Sequence, residues 1–145
     1  MQLNVLKKQP PNNEILIERL RNWDSDYIVR ENERIKAVGE VFTPTALVKT
    51  ILNEMSSDLF TDSSKTVCDP SCGNGQFLAE VLLRKLENGI ELEQALSTIY
   101  GVDIMLDNVK ICQDRLLCGV EQYRHIVEKN IVCADALSYD FSFSN

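Results

Sequence analysis

The sequence predicts an α/β fold in which N-terminal helices precede a parallel sheet of about three strands. Three short apolar segments, at residues 65–68, 99–102 and 130–133, are separated from one another by helix-like segments. Strands that alternate with helices of this length indicate right-handed crossovers, and therefore parallel strands. A polar turn, DPSCGNG, joins the first apolar segment to the helix after it. With 145 residues, one domain is expected.

The N-terminal third is expected to be a flexible arm followed by helices. Pro and Asn cluster at residues 10–13, so residues 1–13 are assigned to the arm. A helix follows from Glu14, and a second, charged helix is expected over residues 24–37. The apolar side of the first helix comprises Ile15, Leu16, Leu20 and Trp23.

A third helix is expected after the segment GEVFTP at residues 39–44. Thr43 suits the N-cap and Pro44 suits the first helical position, and the helix should run to about residue 57. Its apolar positions recur every three to four residues: Leu47, Val48, Ile51, Leu52 and Met55. Residues 14–57 therefore form an N-terminal helical segment.

Residues 58–137 are assigned to an α/β core. The three apolar segments are its strands, and helices are expected over residues 75–87, 91–97 and 105–117. The tail, residues 138–145, alternates polar and aromatic residues and is either an edge strand or a loose end.

Charge and cysteine content narrow the functional classes. The net charge is −7, and residues 1–50 hold eight Lys/Arg and seven Asp/Glu against seven and fifteen in the remainder. This excess of acid disfavours a protein that grips nucleic acid alone. Five cysteines without a CxxC pair, and one histidine, make a zinc site improbable and favour reduced, buried thiols. No apolar run suggests a membrane span or a signal peptide, so a cytoplasmic location is expected.

An aspartate follows each predicted strand: Asp69, Asp103 and Asp135. Ligands of open parallel sheets bind beyond the carboxyl ends of the strands, where these side chains would meet. Aspartate also caps helices and forms turns, so each one alone has a purely structural explanation. Three at equivalent positions, with a glycine turn at the first, favour a binding site.

The turn after the first strand favours a particular kind of ligand. Gly73 and Gly75 allow the backbone to approach a ligand closely, and the following helix offers free N–H groups. No Gly-Lys-Ser/Thr follows, which excludes a P-loop. Asp69 would repel a phosphate but suits a cationic amine or hydroxyls.

The other two aspartates indicate the remaining parts of the ligand. Asp103 would accept from both hydroxyls of a ribose, and Asp135, followed by the small Ala136, would accept from an adenine amino group. An amine, a ribose and an adenine together describe S-adenosylmethionine.

Four motifs also resemble a known family. DPSCGNGQFL, residues 69–78, resembles the first motif of DNA adenine-N6 methyltransferases of the type I modification-subunit-like group. Residues 39–44 resemble the family's N-terminal cofactor motif, residues 101–104 its second motif and residues 133–137 its third. The resemblance implies a partial Rossmann-like S-adenosylmethionine methyltransferase fold. Small phage-encoded methylase-like proteins are similar to the whole chain.

The resemblance implies a set of cofactor-binding residues. Thr43 would contact the methionine part of the cofactor, and the turn would hold its amino and carboxylate groups. The ribose would lie on Asp103 and the adenine on Asp135 and Ala136. The full set is Phe42, Thr43, Asp69, Pro70, Ser71, Cys72, Gly73, Gly75, Asp103, Ile104, Asp135 and Ala136.

The family's catalytic motif, Asn/Asp-Pro-Pro-Tyr/Phe, is missing from this sequence, whose single Pro-Pro is at residues 10–11. We therefore assign no catalytic residue and expect cofactor binding without turnover by the chain alone. A methyltransferase partner chain would supply the motif and the grip on DNA. The alternative is a non-catalytic module that binds the cofactor or regulates another methyltransferase, for example in phage defence against restriction. A vestigial fold with neither role is a third possibility.

Without the later strands of the family's fold, the first strand is expected to lie at an edge of the sheet. An exposed edge strand invites unwanted pairing. We expect the N-terminal helices, the tail or a second copy of the chain to cover it. Core packing or an interface suits Trp23 and Tyr27 better than base stacking, Cys72 is expected to pack, and His125 is expected at the surface.

Overall fold

The computed structural model describes residues 8–23 and 43–143 of the chain. These residues form an α/β arrangement of seven α-helices, one 3₁₀ turn and three strands. In chain order they are α1 (Asn13–Arg21), α2 (Thr45–Asn53), α3 (Asp58–Thr61), β1 (Val67–Asp69), α4 (Gln76–Glu87), α5 (Leu92–Leu96), β2 (Ile99–Asp103), α6 (Leu106–Leu117), a 3₁₀ turn (Glu121–Tyr123), α7 (Arg124–Asn130) and β3 (Ile131–Cys133). None of the helices in these two ranges has the length and apolarity needed to span a bilayer.

The three strands form one parallel sheet in the order β1-β2-β3. Val67 of β1 lies beside Ile99 of β2, and Gly101 of β2 lies beside Ile131 of β3. The predicted α/β class and parallel strands are therefore confirmed. The first strand was predicted over residues 65–68, but β1 runs from Val67 to Asp69. Its pairing begins where the Val67 N–H donates to Thr98 O at 2.9 Å.

Helix α4 is the centre of the core. It contacts α1, α2, α3, α5, α6 and two strands, and seven of its twelve residues are buried. Leu16 and Leu20 of α1 and Leu52 of α2 belong to the same cluster of buried side chains. Burial of each such leucine stabilises the fold by about 1.5–3 kcal/mol. The helix that leaves the glycine turn is thus held firmly in place.

Three predictions about the N-terminal helices were wrong. Helix α2 begins at Thr45 with Pro44 as its N-cap, one residue later than expected, because Pro44 has an extended ψ of 144° while its carbonyl accepts the Val48 N–H. The helix ends at Asn53, not near residue 57. Only one stripe of each helix faces α4, so three residues expected on apolar sides are exposed: Ile15, Leu47 and Ile51. Met55 was also expected on the apolar side, but it lies beyond the end of α2 and is exposed. The helix expected over residues 24–37 lies outside the described residues.

The C-terminal part contains a helix that the sequence did not reveal. The segment EQYRHIVEKN has no clear apolar period, yet it forms the 3₁₀ turn and α7. Tertiary contacts explain this, because buried Asn130 at the end of α7 donates from Nδ2 to Leu96 O at 3.0 Å. His125 is exposed, as expected. The described tail, to Phe143, forms no strand; its aromatic rings contact one another and Tyr100 of β2.

Candidate functional site

The turn between β1 and α4 curls back over β2. The Cys72 N–H donates to Val102 O at 2.9 Å, which extends the contact between the first two strands past the end of β1. The Gly75 N–H then donates to Cys72 O, also at 2.9 Å. Gly73 and Gly75 have φ angles of 53° and 93°, which side-chain-bearing residues rarely adopt. The glycines therefore determine the path of the turn.

Two glycines of the site lie against buried thiols. A Cβ on Gly75 would come within 2.9 Å of Cys112 Sγ, and one on Gly101 would come within 2.8 Å of Leu78 Cδ1 and 3.1 Å of Cys72 Sγ. Cys72 and Cys112 are both buried, so Cys72 packs as expected. These contacts hold the turn against β2 and α6.

The start of α4 offers hydrogen-bond donors. Gly75 is its N-cap, and within the described ranges the N–H groups of Gln76 and Phe77 have no acceptor. The first N–H groups of any helix lack partners within the helix and carry a partial positive charge. The start of α4 is therefore suited to an anionic group such as a carboxylate.

Asp69 and Asp103 lie at the ends of β1 and β2 and both hold backbone donors. Asp69 Oδ1 accepts the Ser71 N–H at 3.0 Å. Asp103 Oδ2 accepts the Gly73 N–H at 3.0 Å, so the second strand end holds the turn that follows the first. Asp103 Oδ1 accepts the Met105 N–H at 2.8 Å and Asn108 Nδ2 at 3.3 Å.

Burial raises the pKa of the Asp69 carboxyl above its usual range, and the negative charge of Asp103 raises this pKa further. The hydrogen bond from the Ser71 N–H acts in the opposite direction without cancelling these effects. In the part of the chain that the structure describes, these two neighbouring carboxylates thus lie together without a cation that lowers the pKa of Asp69. A positively charged ligand group would relieve their repulsion.

Asp135 repeats the same local turn in a more exposed setting. Its Oδ1 accepts the Leu137 N–H at 3.0 Å, and the side chain is exposed. The Ala134 N–H donates to Asp103 O at 3.0 Å, which brings the end of β3 beside the end of β2. Ile104 and Leu137 are 66% and 97% exposed, so apolar side chains follow both of these aspartates.

The remaining predicted residues are less tightly connected. Pro70 and Ser71 are exposed on the turn, Ala136 is half-buried, and Phe42 lies outside the described residues. Thr43 is half-buried, and no hydrogen bond within the described part of the chain joins it to the turn. Sequence reasoning missed Asn108, which reaches Asp103 from the first turn of α6. The spacing of five residues from Asp103 was the available signal.

Comparison with known proteins identifies the family. The model of the N-6 DNA methylase family matches residues 26–143. The chain belongs to this family. The resemblance predicted from the four motifs is therefore confirmed.

A curated relative gives the scale of the match. This N-6 DNA methylase chain is 32% identical over 117 residues to the type II methyltransferase M.VspI of Vibrio sp. (strain 343), an alignment that covers 74% of the chain and 24% of the relative. The chain therefore spans about a quarter of the length of that relative. No solved structure matches the chain.

Proposed function

We propose that this chain is an S-adenosylmethionine-binding domain of the adenine-N6 DNA methyltransferase type, with a partial Rossmann-like fold. The observation that carries the proposal is the carboxylate pair of Asp69 and Asp103 beside the free N–H groups that begin α4. One side of the site suits a cation and the other an anion. An α-amino acid group presents both charges on one carbon atom.

In this proposal, each of the three strand ends binds a different part of the ligand. Asp69 holds the cationic amino group, and the N–H groups of Gln76 and Phe77 hold the carboxylate. Asp103 accepts from the ribose, while Asp135 and the exposed Ile104 receive the adenine. S-adenosylmethionine itself would supply the methyl group that family members transfer.

Methyl transfer to adenine in DNA requires groups beyond those present. The sequence contains no Asn/Asp-Pro-Pro-Tyr/Phe motif to hold the target amino group. Its net charge of −7 also disfavours direct DNA binding, so we propose that DNA is held weakly or through a partner. A methyltransferase polypeptide that carries the missing motif is the partner we propose.

The free edge of β1 is the surface we propose for that partner. Within the described residues β1 pairs only with β2. Because Val67 directs its N–H to β2, alternation directs the N–H and C=O of Cys68 to the other side. An apolar groove of about 190 Å³, lined by Met55, Phe60 and Phe77 among others, adjoins this edge. An added strand would bury alternate side chains there.

Titration calorimetry of the purified chain tests cofactor binding. We expect heat and thermal stabilisation with S-adenosylmethionine, and none with ATP, whose phosphates Asp69 would repel. The Asp103→Ala chain should lose about 1–3 kcal/mol of binding free energy. Absence of both heat and stabilisation with the unaltered chain would refute the proposal and favour a vestigial fold.

Methyl transfer is tested separately. Purified chain with radiolabelled S-adenosylmethionine and DNA is expected to give no labelled DNA, and co-expression with a methyltransferase polypeptide that carries the missing motif should restore labelling. Robust labelling by the chain alone would contradict the need for a partner. Light scattering measures whether the purified chain dimerises, and a monomer would exclude a second copy as the cover of the β1 edge.

A further inference from the structure

We infer that Asn74 is a positioning residue for the ligand of the glycine turn, because its side-chain amide has no partner among the described residues of the free chain and gains one when the turn rearranges around the ligand. The inference rests on the proposed function, which identifies the ligand as S-adenosylmethionine.

The side chain of Asn74 is buried. Its exposure is 0%, and neither Nδ2 nor Oδ1 has a hydrogen-bond partner within residues 8–23 and 43–143. Buried Asn130 provides the contrast, because its Nδ2 donates to Leu96 O at 3.0 Å. An enclosed amide without partners destabilises a fold, and such groups are rare outside sites where function requires them. Asn74 occupies the middle of the candidate site.

The turn around Asn74 contains the parts needed for a rearrangement. Asn74 lies between Gly73 and Gly75, and glycine has access to more backbone conformations than any other residue. Two hydrogen bonds tie the turn to β2, one from the Cys72 N–H to Val102 O and one from the Gly73 N–H to Asp103 Oδ2. When the second bond breaks, the backbone at Gly73, next to Asn74, can rotate.

The ligand would break the bond by competition. Asp103 Oδ1 already accepts from the Met105 N–H and from Asn108, so Oδ2 is the less occupied oxygen. A ribose hydroxyl that donates to Oδ2 competes with the Gly73 N–H for the same acceptor. Released from Asp103, the turn can direct its N–H groups and the Asn74 amide towards the ligand. The unpartnered amide of the free chain thus lowers the cost of this change.

The experiment compares Asn74→Ala with Asn130→Ala, a matched change of a buried, hydrogen-bonded asparagine. Thermal unfolding is measured without and with S-adenosylmethionine, and the Kd is measured by calorimetry. Asn74→Ala should unfold at the same temperature as the unaltered chain or about 2–4 °C higher, and its Kd should rise about tenfold. Asn130→Ala should unfold about 2–4 °C lower with an unchanged Kd.

Each other outcome overturns the inference. A lower unfolding temperature for Asn74→Ala, or a chain that does not fold, would show that the amide is already partnered in the free protein, for example by a buried water. An unchanged Kd would show that the ligand does not use it. If the unaltered chain does not bind S-adenosylmethionine, the proposed function fails first, and that titration alone reveals it.

Discussion

The candidate site has two parts that share one local motif but differ in their surroundings. We call residues 69–75 and 101–105 the inner rim, and residues 134–138 the outer rim. In both, an aspartate after a strand accepts the N–H two residues ahead, as Asp103 does from Met105 and Asp135 from Leu137. Of the two, Asp103 alone has further donors among the described residues: it also accepts from Gly73 and Asn108, which come from outside its own turn. The same turn is thus a local feature at β3 and a connection between elements at β2.

The largest effect is expected from Gly75→Ala, which tests how tightly the inner rim is packed. The substitution combines a left-handed backbone, φ 93°, with an approach of 2.9 Å to Cys112 Sγ. We expect a loss of about 2–5 kcal/mol in the free energy of unfolding, measured with denaturant.

Gly89→Ala is the control for this prediction. Gly89 has a similar φ of 84°, but a Cβ there would meet nothing within 4 Å. Only the backbone strain remains, so the expected loss is about 1–2 kcal/mol. Equal losses for the two substitutions would show that the contact with Cys112 does not restrict the turn.

Asp103→Ala is expected to have the second largest effect. The substitution removes the acceptor from the Gly73 and Met105 N–H groups and from Asn108 Nδ2. Because Asp103 is partly exposed and water can replace some of these bonds, we expect a loss of about 2–4 kcal/mol in the free energy of unfolding. Asp103→Asn keeps one acceptor oxygen and should lose less. A loss for Asp103→Ala no larger than that of an exposed turn residue would remove the distinction between the two rims.

This difference between the rims sets the limit of prediction from sequence. The strand-helix alternation predicted the parallel sheet, and the glycine turn with Asp69 and Asp103 indicated which residues form the inner rim, since both depend on local pattern. The pattern did not reveal that Asp103 would bind the turn after another strand. That bond depends on the register of Asp69 beside Gly101, which only the folded sheet fixes.

The missed elements have the same cause. Helix α7 is short, and its sequence has no clear apolar period, but buried Asn130 donates from Nδ2 to the carbonyl of Leu96 in another helix. Gly101 was predicted within a strand without a reason for being glycine. The reason is the approach of Leu78 and Cys72 from α4 and the turn. Contacts between elements distant in sequence decided each case.

A pH titration of binding tests the carboxylate pair of the inner rim. The pKa of Asp69 is raised by burial and by Asp103, so Asp69 takes up a proton at a higher pH than an ordinary aspartate. Only the ionised form attracts a cationic amine, so the affinity for S-adenosylmethionine should fall as the pH drops through this raised pKa. Asp69→Asn should bind about tenfold more weakly at neutral pH and lose this dependence.

The stability of Asp69→Asn is a second measurement, and it should not fall as the affinity for S-adenosylmethionine does. Because the pKa of Asp69 is higher in the folded chain, its contribution to stability is complete below the unfolded-state pKa and is lost as the pH rises through the folded-state pKa. Asp69→Asn removes this loss and still offers an oxygen to the Ser71 N–H. At neutral pH it should therefore unfold at the same or a higher denaturant concentration. A clear loss of stability would mean that the charge is needed for folding.

The smallest effect on stability is expected from Asp135→Ala, and this variant decides whether the outer rim is a site or only a turn. Its carboxylate is exposed and accepts only the Leu137 N–H within the described residues, so the free energy of unfolding should change by less than about 1 kcal/mol. If Asp135 holds the adenine amino group, the affinity for S-adenosylmethionine should nevertheless fall several-fold. Calorimetry with the variant measures this, and Asp140→Ala is the control, because Asp140 accepts the Ser142 N–H in an equivalent exposed turn. Equal affinities for the two variants would reduce Asp135 to a turn residue and confine binding to the inner rim.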